Sequence, residues 1–118
     1  MRRRVKALAA VGSLALALAG ASGALAGGKP KTIKVGDDYY APAKVTVKAG
    51  TTVKWNWLAG NTNTHDVRLK SGPRGVKHFK SEIAASDYSF KKTLKLPGKY
   101  RIYCSLHEAM VETIVVKK

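Results

Sequence analysis

Val45-Thr46-Val47-Lys48-Ala49-Gly50-Thr51-Thr52-Val53-Lys54-Trp55-Asn56-Trp57 alternates apolar and polar side chains on both sides of an Ala-Gly turn. A period of two places every second residue on one face of a strand, so Val45 and Val47, then Val53, Trp55 and Trp57, each mark an inward face. The same pattern extends outward. Upstream, Ile33 and Val35 alternate with Thr32 and Lys34. Downstream, His65, Val67 and Leu69 alternate with Asp66, Arg68 and Lys70, and Tyr88, Phe90, Leu94 and Leu96 share a face interrupted by Lys92. Pro97-Gly98 turns the chain into Tyr100, Ile102 and Cys104, and Ile114-Val115-Val116 closes it. The expectation is an all-β, antiparallel Greek-key sandwich of seven or eight strands, with one helical turn near Ser81 to Ala85.

The first residues read differently. Arg2, Arg3, Arg4 and Lys6 precede an apolar run from Ala7 to about Ala21, and Ala24-Leu25-Ala26 follows as a small-x-small site. These are the three parts of a secretory signal. The run is short and rich in Ala and Gly for a retained membrane anchor. Residues 1–26 are therefore expected to be a cleaved signal, and residues 27–118 a single domain in the periplasm or outside the cell. Arg2-Arg3-Arg4 resembles a twin-arginine signal without deciding the export route.

The signal segment holds 4 of the 22 Lys and Arg residues and none of the 7 acids, which leaves 18 against 7, or +11, for the rest. Such a surface suits acidic partners or anionic envelope polymers. The lysines are scattered rather than gathered in one arm or helix, which argues against nucleic acid.

Cys104 is the single cysteine, so no disulfide forms within the chain. A lone thiol in an oxidising compartment is buried and inert, paired between chains, or used chemically. Its neighbours favour use. Tyr103-Cys104-Ser105-Leu106-His107-Glu108-Ala109-Met110 sets a thiol, an imidazole and a thioether at three-residue spacing, between a strand leading in and a strand leading out. His65 lies on the inward face of a distant strand. Two imidazoles, a thiolate and a weak thioether donor select copper and suit one-electron transfer. Zinc would bind the same residues but does not change oxidation state. His78, the remaining histidine, sits in a basic segment and reads as a surface residue. Asp37 and Asp38 read as turn residues rather than a metal pair. No phosphate loop, hydrolase triad or helical metalloprotease motif is present. A multicopper enzyme needs more than three histidines.

These residues resemble the cupredoxins, the blue type 1 copper proteins that include the plastocyanins and amicyanins. The Cys-x-x-His-x-x-Met spacing is most similar to the amicyanin loop. Tyr40-Ala41-Pro42 with Val45 to Trp55 resembles the family's opening strands, and Leu96-Pro97-Gly98-Lys99-Tyr100 its approach to the metal. The resemblance implies one copper per chain, with His65, Cys104 and His107 equatorial and Met110 axial. It implies a non-enzymatic, monomeric carrier of single electrons, serving a redox protein. Storage or delivery of copper would use the same residues.

Some positions depart from the family. Asp66 stands where Asn is common and can accept a hydrogen bond from Ser105 but not donate one. Leu106 and Glu108 replace prolines, and Glu112 replaces a glycine. If the signal reading holds, N-terminal sequencing of exported protein will begin within a residue or two of Gly27. An intact Met1 on membrane-bound material would contradict it.

Overall fold

The computed structural model describes residues 29–118, and the signal expected at 1–26 lies outside them. Eight strands form two four-stranded sheets, with no helix among the described residues. They are β1 (Lys31–Gly36), β2 (Tyr39–Ala41), β3 (Lys44–Lys48), β4 (Thr51–Trp57), β5 (Arg68–Ser71), β6 (Ser89–Leu94), β7 (Gly98–Cys104) and β8 (His107–Lys117). One sheet runs β2-β1-β4-β6 and the other β3-β8-β7-β5.

β4 alternates buried and half-buried residues along its whole length, and Val53, Trp55 and Trp57 enter the core as their spacing demands. They meet Ile33 and Val35 from β1, with Tyr100, Ile102, Ile114 and Val116 from the opposite sheet. Each such aliphatic side chain removed from water contributes roughly 1.5–3 kcal/mol. Aromatic rings fill the wider gaps. Trp55 packs at 5.8 Å from Phe90, and Trp57 meets Tyr88 edge-on at 4.7 Å.

Four of the six strand pairings are antiparallel, but β1 joins β4 and β3 joins β8 in parallel. The cause lies at the turns. Ala49-Gly50 does not close a hairpin; it carries the chain from one sheet to the other. The Ala49 amide donates to Lys117 of β8 and the Gly50 amide to Leu94 of β6. Gly50 has φ +92°, a conformation that an L side chain rarely adopts. Pro97-Gly98 makes a second crossing between sheets, from β6 to β7.

The helical turn expected near Ser81 to Ala85 does not form. The backbone there is already engaged by residues 65–69. His65 and Ala84 exchange backbone hydrogen bonds, Ser81 donates to Val67, and Leu69 donates to Phe79. The same engagement shortens the strand expected from His65, because the Val67 amide donates to the Ser81 hydroxyl oxygen. β5 therefore starts only at Arg68, although His65, Val67 and Leu69 are all buried as their alternation requires.

One core position carries a carboxyl. Glu112 is 1% exposed, and its Oε1 accepts a hydrogen bond from Trp55 Nε1 at 2.9 Å. Its Oε2 has no partner. Burial pushes this carboxyl up to about 7, against the opposing pull of the Trp55 bond. A carboxyl raised on folding favours the fold while neutral. Its contribution is full below about pH 4.5 and lost as pH rises through about 7. In metal-free protein, the stability of Glu112→Gln relative to wild type should be flat below pH 4.5. It should then rise by roughly 3 kcal/mol by pH 8. Denaturant titrations across that range measure it, and a difference independent of pH would contradict the buried-acid account.

Candidate metal centre

β7 ends at Cys104, and a two-residue turn, Ser105-Leu106, leads directly into β8 at His107. Cys104 and His107 are cross-strand partners beside an irregularity at Tyr103/Cys104. The sequence suggests a longer loop holding both His107 and Met110. Instead both lie in β8, and Met110 is 1% exposed on the face shared by Glu112, Ile114 and Val116.

His65 arrives from the other side. Its backbone is pinned by Ala84, and its carbonyl also accepts from Trp57 Nε1 at 3.2 Å. Its side chain is fully buried. His65 Nδ1 lies 3.2 Å from His107 Nδ1, and Cys104 Sγ lies 3.6 Å from that same His107 nitrogen. All three donors fall within 4.8 Å of one another. Metal–nitrogen bonds of about 2.0 Å and a metal–sulfur bond of about 2.3 Å would subtend about 105° and about 115° across these spacings. Both angles are ordinary for a metal, so the spacings of His107 to His65 and of His107 to Cys104 suit one shared ion. A nitrogen, nitrogen, thiolate set is one that copper favours.

The segments that carry His65 and Cys104 are tied together by Asp66. It is fully buried, and the Ser105 amide donates to its Oδ1 at 2.7 Å while the Ser105 hydroxyl donates to Oδ2 at 2.6 Å. Arg68 Nε adds a charged donor to Oδ2 at 2.8 Å, and the Tyr40 hydroxyl donates to the Asp66 carbonyl at 2.6 Å. Burial opposes the charge on Asp66, yet the Ser105 and Arg68 donors outweigh it and hold the carboxyl below the usual range. The acceptor role expected from the sequence is thus filled twice over, with Arg68 as an unforeseen counter-charge.

Sequence reasoning also left Asp37 and Asp38 as turn residues only. They do form the β1–β2 turn, but Asp37 Oδ1 lies 2.9 Å from His65 Nε2 and Asp38 Oδ1 lies 3.3 Å from His107 Nε2. Asp37 also accepts from the Thr62 amide, the Thr62 hydroxyl and the Asn63 amide, at 2.8, 3.0 and 3.0 Å. The Thr62 amide first, then His65 and the Asn63 amide, hold its carboxyl well below the usual range. A pair of aspartates followed by Tyr39-Tyr40 gives no local signal of this, since the partners of Asp37 are 25–28 residues away and His107 lies farther still from Asp38. His78 stands apart on the surface as expected, within 3.3 Å of the Leu69 carbonyl.

A family model described as copper binding proteins, plastocyanin/azurin family, matches residues 30–117. The chain is 32% identical over 78 residues to amicyanin from Paracoccus versutus, covering 66% of this chain and 58% of that protein. It thus spans less than two thirds of that relative's length. A crystal structure of amicyanin from the same organism superposes with a TM-score of 0.64 at 28% identity, over 75% of this chain and 81% of that one. A purple cupredoxin from Nitrosopumilus maritimus shares the fold, with a TM-score of 0.62 at 21% identity over 74% and 99% of the two chains. With two imidazole nitrogens and a thiolate converging at one end of an eight-stranded sandwich, the chain belongs to the plastocyanin/azurin family of copper-binding proteins, the cupredoxins.

Proposed function

We propose that this protein is a type 1 blue-copper electron carrier of the amicyanin kind, exported, monomeric and without catalytic turnover of its own. The observation that carries the reading is the meeting of His65 Nδ1, His107 Nδ1 and Cys104 Sγ beneath a single surface-reaching ring. His65, Cys104 and His107 would hold the ion, and Met110, buried in β8, would add a weak thioether donor. Copper bound there would supply a Cu(I)/Cu(II) couple that takes up and releases one electron.

The chain's own residues make such an exchange fast and selective. His65 and Cys104 are closed off from solvent, while 27% of the His107 side chain is exposed. His107 is thus the ligand nearest to a docked partner. The neighbouring Leu106 is 44% exposed and offers an apolar contact beside it. The bonds from Ser105 to Asp66 fix the turn between Cys104 and His107, so the donors need little rearrangement when charge changes. A rigid donor set lowers the reorganisation that electron transfer requires.

Copper added to metal-free protein should bind at one ion per chain and give intense blue absorption. Cys104→Ser should abolish that colour, because the thiolate is its source. Met110→Leu should keep the colour and raise the reduction potential by on the order of 60 mV, a tenfold shift in preference toward Cu(I). Unchanged colour in Cys104→Ser would refute the ligand assignment.

The charge of +11 outside the signal segment favours a redox partner with an acidic docking surface. Screening acts over about 8 Å at physiological salt. Stopped-flow electron transfer with an acidic partner should therefore slow as ionic strength rises. A rate that is flat or rising with salt would remove the steering role and leave the copper site untouched.

A further inference from the structure

The β1–β2 turn reaches the outer edge of both imidazoles. His65 and His107 turn their Nδ1 atoms toward one another at 3.2 Å, which leaves each Nε2 facing away from the meeting point. In each case a carboxylate from the same two-residue turn lies at Nε2: Asp37 is hydrogen-bonded to His65 at 2.9 Å, and Asp38 makes a longer charge contact with His107 at 3.3 Å. A neutral imidazole carries one N–H and one lone pair, and the hydrogen bond at one nitrogen decides which the other presents. A carboxylate can only accept, so it selects the Nε2–H form and leaves Nδ1 free to bind an ion.

The turn is built to hold this position. Asp37 is fixed by three donors from Thr62 and Asn63, in the segment that leads into His65, so turn and ligand move as one body. Asp38 adopts φ +69°, where a glycine would fit without strain. A side chain at that position costs backbone energy, and its carboxylate reaches the one ligand ring that is exposed to solvent. Its hydrogen bond from Asn63 Nδ2 is long at 3.4 Å.

We infer that Asp37 and Asp38 are positioning residues of the metal centre, which hold the Nε2 edges of His65 and His107 so that both rings offer Nδ1 to the ion. The inference rests on the ligand set proposed above. The two residues act through the rings and touch neither the ion nor the partner's redox group. Their negative charge also makes both imidazoles stronger donors, which favours the more highly charged Cu(II) over Cu(I). Asp37 fixes the buried ring and Asp38 the exposed one, so the turn steadies the centre on its closed and open sides together.

Asp37→Asn and Asp38→Asn test this in the full chain. In each variant Cu(II) affinity should fall by about 10–100-fold, and Cu(I) affinity by less. The reduction potential should rise accordingly, by about 59 mV for each tenfold of preferential loss. Asp38→Asn removes the charge and keeps an oxygen that can still accept the long Asn63 bond, so its effect is not one of misfolding. A second readout needs no copper. In protein loaded with diamagnetic Zn(II), proton–nitrogen correlation spectra should show His65 and His107 bearing the proton on Nε2. The His65 proton should be shifted downfield, and should lose that shift in Asp37→Asn. Protons on Nδ1 in the zinc form would overturn the inference. So would metal affinity within twofold of wild type in both variants. If wild type binds zinc but gives no blue copper complex, the electron-carrier reading fails while the zinc spectra still decide the role of the turn.

Discussion

Two hydrogen bonds from Ser105 to the buried carboxylate of Asp66 hold the metal centre together. They join the segment that carries His65 to the turn between Cys104 and His107, across 39 residues of sequence. A fully desolvated carboxylate is costly unless its oxygens are paired, and breaking such a buried pair typically costs about 3–5 kcal/mol. Here Arg68 and Ser105 supply the pairing, and Tyr40 secures the backbone of the same residue. The strands set which side chains point inward. Asp66 sets how far apart the inward-pointing donors end up.

The distribution of acids follows from the same demand. Of the 7 acidic residues, Asp37 and Asp38 touch the imidazoles of His65 and His107, Asp66 ties the segments that carry His65 and Cys104, and Glu108 adjoins His107. Glu112 lies in the core beyond Met110. Five acids thus sit at or beside the donors, in a chain whose other charges are mostly lysine and arginine. A centre that binds a cation gains from nearby carboxylates, while the remaining surface stays basic. Glu112 differs from the rest. Its Oε2 is buried without a partner, and Trp55 satisfies only the other oxygen. A fully apolar residue there would avoid that cost, so the core carries a weakness two residues beyond Met110 in β8.

Much of this was legible in the sequence because periodicity reports burial directly. Val53, Trp55 and Trp57, or Tyr100, Ile102 and Cys104, lie inward because a strand leaves them no other face. The ligand candidates were legible because a lone thiol, an imidazole and a thioether at three-residue spacing form a rare chemical set. The pairing of strands was harder to read. Nothing in the alternation around Ala49-Gly50 distinguishes a hairpin from a crossing between sheets, so the parallel pairs β1–β4 and β3–β8 were not foreseen. The helical turn near Ser81 was misjudged for a related reason, since its backbone groups bond to residues 65–69 rather than to their own neighbours. The contacts of Asp37 and Asp38 were hidden because turn chemistry alone suffices to explain two aspartates in sequence.

Two Nδ1 atoms, from His65 and His107, and the Sγ of Cys104 are proposed to share a single copper ion. Copper-edge X-ray absorption on stoichiometrically loaded protein tests it most directly. Two imidazole nitrogens and one short sulfur bond are expected in the inner shell. A shell of nitrogen and oxygen alone, with no sulfur, would contradict it.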